Sequence, residues 1–215
     1  MKIELCADGY IDCKSNFYFA HDVVFYDTPY IFENGVNYLN GEIDSGVWGA
    51  SYLLSMYNKK DFTLFEHPQI TIDGRIVSIA EVLAISCYMD MLHPLFKNTK
   101  TSVEKTIEKA IKKHKLHYSK DDIRKLFVID EERFKRPLSG LGNERFKAMA
   151  AIAFCCGKEI FCFPWLSCNR FEYYGNNLKE VLKTLANLGK VVIVPRNMSI
   201  GQSGDGSVID KEIEV

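Results

Sequence analysis

The stretch Gly41-Glu42-Ile43-Asp44-Ser45-Gly46-Val47-Trp48 decides the fold of this chain. It joins Val36-Asn37-Tyr38-Leu39, a run typical of a short strand, to residues 49–57, a run typical of a helix. Its two glycines enclose four residues, the spacing of a loop whose backbone N–H groups cradle phosphates. The order of strand, glycine loop and helix predicts an α/β fold of the P-loop type.

The side chains of this loop differ from those that its spacing suggests. A working loop reads G-x-x-x-x-G-K-S/T, with a lysine that reaches the β- and γ-phosphates and a hydroxyl that holds Mg²⁺. Val47 stands at the lysine position and Trp48 at the hydroxyl position. Glu42 and Asp44 oppose polyphosphate binding by about 1 kcal/mol each where they are poorly solvated. We therefore interpret the loop as a tight turn that needs its glycines.

Length and composition limit the possible classes of protein. The chain has 215 residues, 47% hydrophobic and 26% charged, with a formal net charge of -1. These values are typical of one globular domain, which we assign to residues 1–215. A charge near zero gives no bulk attraction to nucleic acid, so no nucleic-acid partner is expected. No apolar run approaches the roughly 20 residues of a spanning helix, so a membrane role would come through a partner.

The cysteines favour a reducing compartment. They are odd in number and are Cys6, Cys13, Cys87, Cys155, Cys156, Cys162 and Cys168. No long apolar stretch follows Met1, so we expect no secretory signal and a cytoplasmic location. The gaps between Cys155 and Cys168 do not fit paired C-x-x-C ligands and no histidine lies nearby, which predicts buried thiols and no metal site.

The first half of the chain predicts an N-terminal antiparallel β region. Residues 17–20 and 23–26 are rich in aromatic and β-branched residues, which favours two strands. Residues 69–72 and 75–77, joined by Asp73-Gly74, are typical of a hairpin.

A polar helical block and a second α/β segment follow. Charged helical patterns at 101–116 and 119–128 predict a helical subdomain, about residues 90–137, inserted in the α/β core. Helix, strand, helix and strand patterns then follow at 144–156, 160–163, 178–188 and 191–194. This alternation predicts a parallel sheet.

Three further motifs carry a family resemblance. Leu138-Ser139-Gly140 precedes an alanine-rich helix, Pro164-Trp165 follows the apolar strand 160–163, and Pro195-Arg196 follows the last strand. With the glycine loop, their order and spacing resemble the ATP-binding domain of ABC transporters and related ABC ATPases over most of the chain. The resemblance implies Walker A at the glycine loop, the signature motif at Leu138-Ser139-Gly140, and Walker B and the switch histidine at the two later motifs.

The resemblance also implies chemistry that these residues do not supply. Walker B would end in Asp-Glu, which hold Mg²⁺ and polarise the attacking water, where Pro164 and Trp165 stand. The switch histidine falls at Arg196, which cannot accept a proton. No glutamine occurs at residues 87–90, where the glutamine loop is expected. Loss of one such group lowers the rate by orders of magnitude, so we expect no ATP hydrolysis by this chain alone.

Of the four motifs, the signature motif matches the family pattern best. In the family it contacts the γ-phosphate bound by the opposite subunit, and Ser139 and Gly140 match it. Two interpretations stay open: Ser139 serves a partner's nucleotide, or it caps the helix that follows.

The candidate site residues form two sets. The nucleotide-binding candidates are Gly41, Ser45, Gly46, Val47, Trp48, Ser139 and Gly140. The Walker B and switch positions are Pro164, Trp165 and Arg196. We expect no catalytic residue, metal or resident cofactor, with Mg-ATP bound only weakly or in a composite site.

Three functions stay open. The first is a non-catalytic ABC-type subunit, structural or regulatory, that partners an active ABC ATPase, a membrane permease or a copy of itself, in export or self-immunity. The second is a subunit that completes a composite site through Ser139. The third is a repurposed fold that binds a ligand or peptide through the aromatic-lined loop around Trp48, Trp165 and Arg196.

Other candidates carry less support. His114 and His117 are three residues apart beside several lysines, a pattern typical of a solvated helix end rather than a metal site. No local signature supports a cysteine–histidine nucleophile pair. Phe161 and Phe163 are expected in the core and Trp165 at the surface.

Overall fold

The computed structural model describes residues 1–15, 18–24, 29–41, 46–58, 62–97, 100–197 and 209–210. The strands in this part of the chain are β1 Lys2–Cys6, β2 Gly9–Ser15, β3 Tyr18–Val24, β4 Tyr30–Glu33, β5 Gly35–Asn40, β6 Phe62–Leu64, β7 Gln69–Ile72, β8 Arg75–Val77, β9 Ser86–Tyr88, β10 Ile160–Cys162, β11 Val191–Arg196 and β12 Ile209–Asp210. The α-helices are α1 Val47–Met56, α2 Ile79–Ile85, α3 Val103–His114, α4 Lys120–Leu126, α5 Glu131–Phe134, α6 Arg145–Cys155 and α7 Cys168–Asn187. Within the described ranges, no helix is both long and apolar enough to cross a membrane.

A five-stranded sheet forms the centre of the fold, in the order β12-β5-β11-β10-β9. The last four strands are mutually parallel, and β12 pairs antiparallel with β5. Phe161 packs into one hydrophobic cluster, whereas its neighbours Ile160 and Cys162 pack into another on the opposite face. A strand that is buried on both faces is apolar along its whole length. The predicted parallel sheet is therefore confirmed.

Helices cover both faces of this sheet. Helix α1 contributes Leu53 and Leu54 to one cluster, and α6 and α7 contribute Met149 and Leu182 to the other. Helix α7 begins at Cys168, where the Ser167 hydroxyl accepts a bond from the Arg170 N–H. It breaks at Gly175, whose φ of 45° and ψ of -128° are not helical, so its second part begins close to the predicted start at Leu178.

The antiparallel region consists of two sheets, ordered β4-β1-β7-β8 and β3-β2-β6. The predicted hairpin of β7 and β8 is confirmed. Its turn residues Asp73 and Gly74 have φ values of 50° and 77°, as a type I′ turn requires.

The prediction of two strands at 17–20 and 23–26 was wrong. Strand β3 runs without a break from Tyr18 to Val24 and pairs with β2 along its length. The polar dipeptide His21-Asp22 interrupts the apolar pattern but not the hydrogen-bonded ladder. Residues 17, 25 and 26 lie outside the described residues.

Helices α3, α4 and α5 form a block between β9 and α6. Ser102, Ser119 and Asp130 cap them, each accepting a bond from a backbone N–H three residues on. Val103 and Ile107 of α3 are buried in the same cluster as α6. The subdomain boundaries at 90 and 137 stay a prediction.

A buried lysine ties this block to the core. Lys147 lies on α6 and is only 5% exposed. Its ammonium donates to the Val128 carbonyl, after α4, at 3.1 Å and pairs with Glu180 of α7 at 2.6 Å. A buried ammonium is destabilising unless its charge is paired, so these two contacts hold three segments together.

We predict that Lys147→Met lowers the free energy of unfolding by about 2 kcal/mol, because the part-buried hydrogen bond to the Val128 carbonyl and the ion pair with Glu180 are both lost. Urea denaturation measures the change. Lys183→Met, at an exposed position on α7, is the matched control and should stay within about 0.5 kcal/mol of the parent. Equal effects of the two substitutions would contradict the role of Lys147.

Candidate functional site

The glycine loop connects β5 to α1 at the edge of the central sheet where the parallel strands end. Gly41 and Gly46 are described, whereas Glu42–Ser45, including the candidate Ser45, lie outside the described residues. Gly46 has a φ of 91°, a left-handed conformation that favours glycine. It precedes the first residue of α1, and no side chain caps the helix.

Val47 and Trp48 point into the core rather than into an open site. They are 1% and 8% exposed. The Trp48 indole N–H donates to the Tyr88 hydroxyl at 2.8 Å. The centre of the Tyr52 ring lies 5.1 Å from the centre of the Trp48 ring and 5.3 Å from that of the Tyr88 ring. The position where the resemblance implies a hydroxyl for Mg²⁺ thus holds an indole whose single N–H is already bonded.

The Pro164-Trp165 motif follows β10, and Trp165 contacts the start of the glycine loop. Trp165 is half-buried rather than at the surface, which corrects the prediction for this residue. Its indole N–H donates to the Gly41 carbonyl at 3.1 Å. The Gly41 N–H donates to the Arg196 carbonyl at 2.9 Å. Both polar groups of the Gly41 backbone are therefore bonded within the protein.

The Arg196 side chain connects β11 to β5 at the same edge. Its Nε donates to Asn40 Oδ1 at 2.7 Å, and its guanidinium lies 3.9 Å from the centre of the Tyr38 ring. Asn40 is 5% exposed. A guanidinium that stacks on an aromatic face and bonds to a buried amide stabilises the pairing of β11 with β5.

The predicted ligand site at the aromatic-lined loop around Trp48, Trp165 and Arg196 stays a prediction. Trp48 is buried, and the other two side chains bond to Gly41 and Asn40. The structure brings Gly41, Trp165 and Arg196 together, as the resemblance implied for the corresponding motifs. The core position predicted for Phe161 and Phe163 is confirmed, since both are fully buried.

Ser139 and Gly140 lie in a short 3-10 turn, Leu138–Gly140, and both are exposed. A second 3-10 turn, Gly142–Glu144, separates them from α6. No side chain caps α6, whose preceding residue is Glu144. The interpretation of Ser139 as a helix cap was therefore wrong, because the intervening turn displaces the helix start to Arg145.

Several residues of this edge carry no sequence signal. Tyr88 and Tyr52 complete the cluster around Trp48. Ser51 on α1 is fully buried and donates its hydroxyl to the Phe163 carbonyl at 2.7 Å, which ties α1 to the end of β10. Apart from the contact of Tyr52 with Trp48, four residues away, these contacts join residues at least 36 positions apart in the chain, which local patterns do not reveal.

Cys87 and His93 are neighbours, with 3.7 Å between Sγ and Nδ1. Burial raises the pKa of the Cys87 thiol. Burial, together with Lys158 and Lys97, lowers the pKa of His93 to about 4. A neutral thiol and a weakly basic imidazole do not form an activated nucleophile. No group of potential metal ligands occurs among the residues whose structure is described.

No protein-family model matches the sequence, and no curated protein matches it. Solved structures do match. A protein described as an ABC transporter ATP-binding protein from Pyrococcus furiosus has a TM-score of 0.59 and 18% identity, covering 94% of each chain. The cbiO1 protein of Clostridium perfringens, part of an ABC transporter complex, has a TM-score of 0.58 and 11% identity, covering 91% of this chain and 78% of its own.

A third structure is a dimeric ATP-binding cassette in a post-hydrolysis state, bound to ADP and Pi. It has a TM-score of 0.57 and 14% identity, covering 92% of this chain and 88% of its own. At such identities the likeness concerns architecture. This chain has the fold of the ATP-binding proteins of ABC transporters.

Proposed function

We propose that this chain is an ABC-type subunit that does not hydrolyse ATP and serves as a structural or regulatory partner. Its partner is an active ABC ATPase, a membrane permease or a second copy of the chain. The setting is export or a self-immunity system. The observation that supports this most is that both indole N–H groups beside the glycine loop are bonded within the protein. Trp48 donates to Tyr88, and Trp165 donates to Gly41.

The chemistry of phosphoryl transfer explains why these bonds matter. Catalysis depends on a lysine, a metal ion and polar groups that stabilise the charge of the transferring phosphoryl group. At the corresponding positions this chain has Val47, Trp48, Pro164 and Trp165, none of which carries a charge or a metal-binding oxygen in its side chain. Arg196 adds a cation, but its guanidinium is stacked on Tyr38 and bonded to Asn40.

The likeness to known structures supports the class of partner. The Clostridium perfringens protein is part of an ABC transporter complex, and the third structure is a dimer. We propose by analogy that this chain also works in an assembly, on the cytoplasmic side of a membrane. A repurposed ligand-binding fold gains no support, because Trp48 is buried in the core.

We predict that the isolated chain shows no ATPase activity above the blank and no calorimetric binding of Mg-ATP at micromolar concentrations. The physical reason is that the lysine, hydroxyl and carboxylates that hold phosphates and Mg²⁺ in such sites are replaced here by Val47, Trp48, Pro164 and Trp165. Isothermal titration with Mg-ATP and a phosphate-release assay measure the two properties separately. Micromolar affinity or measurable turnover by the chain alone would overturn the proposal.

A second candidate function rests on the exposure of Ser139 and Gly140. In this candidate the partner supplies Walker A and Walker B, and Ser139 donates to the γ-phosphate held by that partner. Its side chain is exposed and does not cap α6, so this surface is open to a partner.

We predict for this second candidate that Ser139→Arg abolishes the ATPase activity of the complex that co-purifies with the chain, because a bulky cation blocks the donor. Asn187→Arg, which adds the same charge at the exposed end of α7, is the matched control and should leave turnover unchanged. Full turnover in the assembled Ser139→Arg complex would rule out the composite site.

A further inference from the structure

The charge of the chain is unevenly distributed. Between residues 97 and 125 there are ten lysines and arginines against four acidic residues, a net charge of +6. The whole chain has a formal net charge of -1, so the remaining residues carry -7. A near-neutral total therefore conceals a strongly basic region at the start of the helical block.

Helix α3 concentrates this charge on one face. Val103, Ile107 and Ala110 are its buried side. The exposed lysines on the helix are Lys105, Lys109, Lys112 and Lys113. With 3.6 residues per turn, these four fall within an arc of about 100° opposite the buried side. Together with Lys115 at the end of the helix, they form what we call the α3 lysine face.

The acidic residues of this region are already engaged. Their contacts in the structure are Glu104 with Lys120, Glu108 with Lys112 at 3.0 Å, Asp121 with Arg124 at 3.9 Å, and Asp122 with the Ser119 hydroxyl at 2.7 Å. Among the described residues, no ion pair forms at Lys105, Lys109, Lys113 or Lys115. These four lysines are exposed to solvent.

An exposed aromatic residue borders the α3 lysine face. Tyr118 is 43% exposed, and one edge of its ring packs against Phe154 at 5.8 Å between ring centres. Leu116 beside it is half-buried. A tyrosine with an apolar body and a polar tip, next to lysines, is a combination enriched where proteins meet the interface of a bilayer.

We propose that the α3 lysine face binds an anionic phospholipid surface. Each lysine near such a surface contributes a diffuse attraction that needs no fixed geometry. Sites that read bases or phosphopeptides favour arginine, whose planar fork bonds phosphates and bases in pairs. The α3 lysine face contains lysines alone, spread along one helix, and this favours a flat, diffuse anion over a ligand with defined geometry.

This membrane contact is independent of the proposed lack of ATP hydrolysis. It positions the chain at the membrane surface through its own residues, in addition to any permease. The expectation that a membrane role requires a partner protein followed from the lack of a long apolar run, which does not take the local excess of positive charge into account.

Flotation of the full chain with phospholipid vesicles tests the proposal. We expect binding to vesicles of equimolar phosphatidylcholine and phosphatidylserine, weakening steeply with added salt, and no binding to phosphatidylcholine alone. Lys109→Gln/Lys113→Gln should weaken the binding at least about tenfold, since glutamine keeps the helix propensity and removes two charges.

The matched control is Lys179→Gln/Lys183→Gln, which removes two exposed lysines at the same spacing on α7. It should bind the anionic vesicles like the parent. Circular dichroism checks that both variants keep the fold. The proposal is overturned by equal binding of both kinds of vesicle, by equal loss in the two variants, or by binding of duplex DNA in the same buffer without binding of anionic vesicles.

Discussion

The backbone of Gly41 is the point on which the arrangement of the site depends. Its N–H bonds to the Arg196 carbonyl and its carbonyl to the Trp165 indole, at 2.9 and 3.1 Å. Because parallel strands end at one edge of the sheet, residues that follow β5, β10 and β11 converge there. A phosphate-binding turn directs its backbone amides toward a ligand, whereas the first amide of this turn is bonded to the protein itself. We therefore see the edge as stabilised without nucleotide.

Much of the fold could be predicted from local patterns, but the site could not. The apolar run 160–163 has no polar residue because both faces of β10 are buried, and Ser119 begins α4 through a capping box. By contrast, Trp48 bonds to Tyr88, which lies 40 residues further along the chain. Arg196 bonds to Asn40 across 156 residues. The 3-10 turn that separates Ser139 from α6 likewise follows no simple pattern. Contacts between distant segments decide what these side chains do.

Electrostatics and packing divide the molecule into regions with different roles. The resemblance implies a lysine and Mg²⁺ ligands at the glycine loop and after β10. The residues at these positions instead form aromatic contacts and hydrogen bonds between neutral groups. Three lysines on α3 and Lys115 just after it face solvent and form no ion pair among the described residues. Lys147 connects the helical block to α7 through a buried ammonium. The proposed function and the proposed membrane contact both depend on contacts with other surfaces rather than on a reaction at the sheet edge.

The central claim is that the two indole N–H groups beside the glycine loop are bonded within the protein, Trp48 to Tyr88 and Trp165 to Gly41, and tryptophan fluorescence tests it most directly. The chain contains two tryptophans, Trp48 and Trp165, and both lie at this edge. We predict that their emission spectrum stays unchanged as Mg-ATP is raised into the millimolar range, in the parent and in Trp165→Phe, which reports on Trp48 alone. A saturable quench or red shift on adding Mg-ATP would show that nucleotide displaces the indoles and would contradict this account.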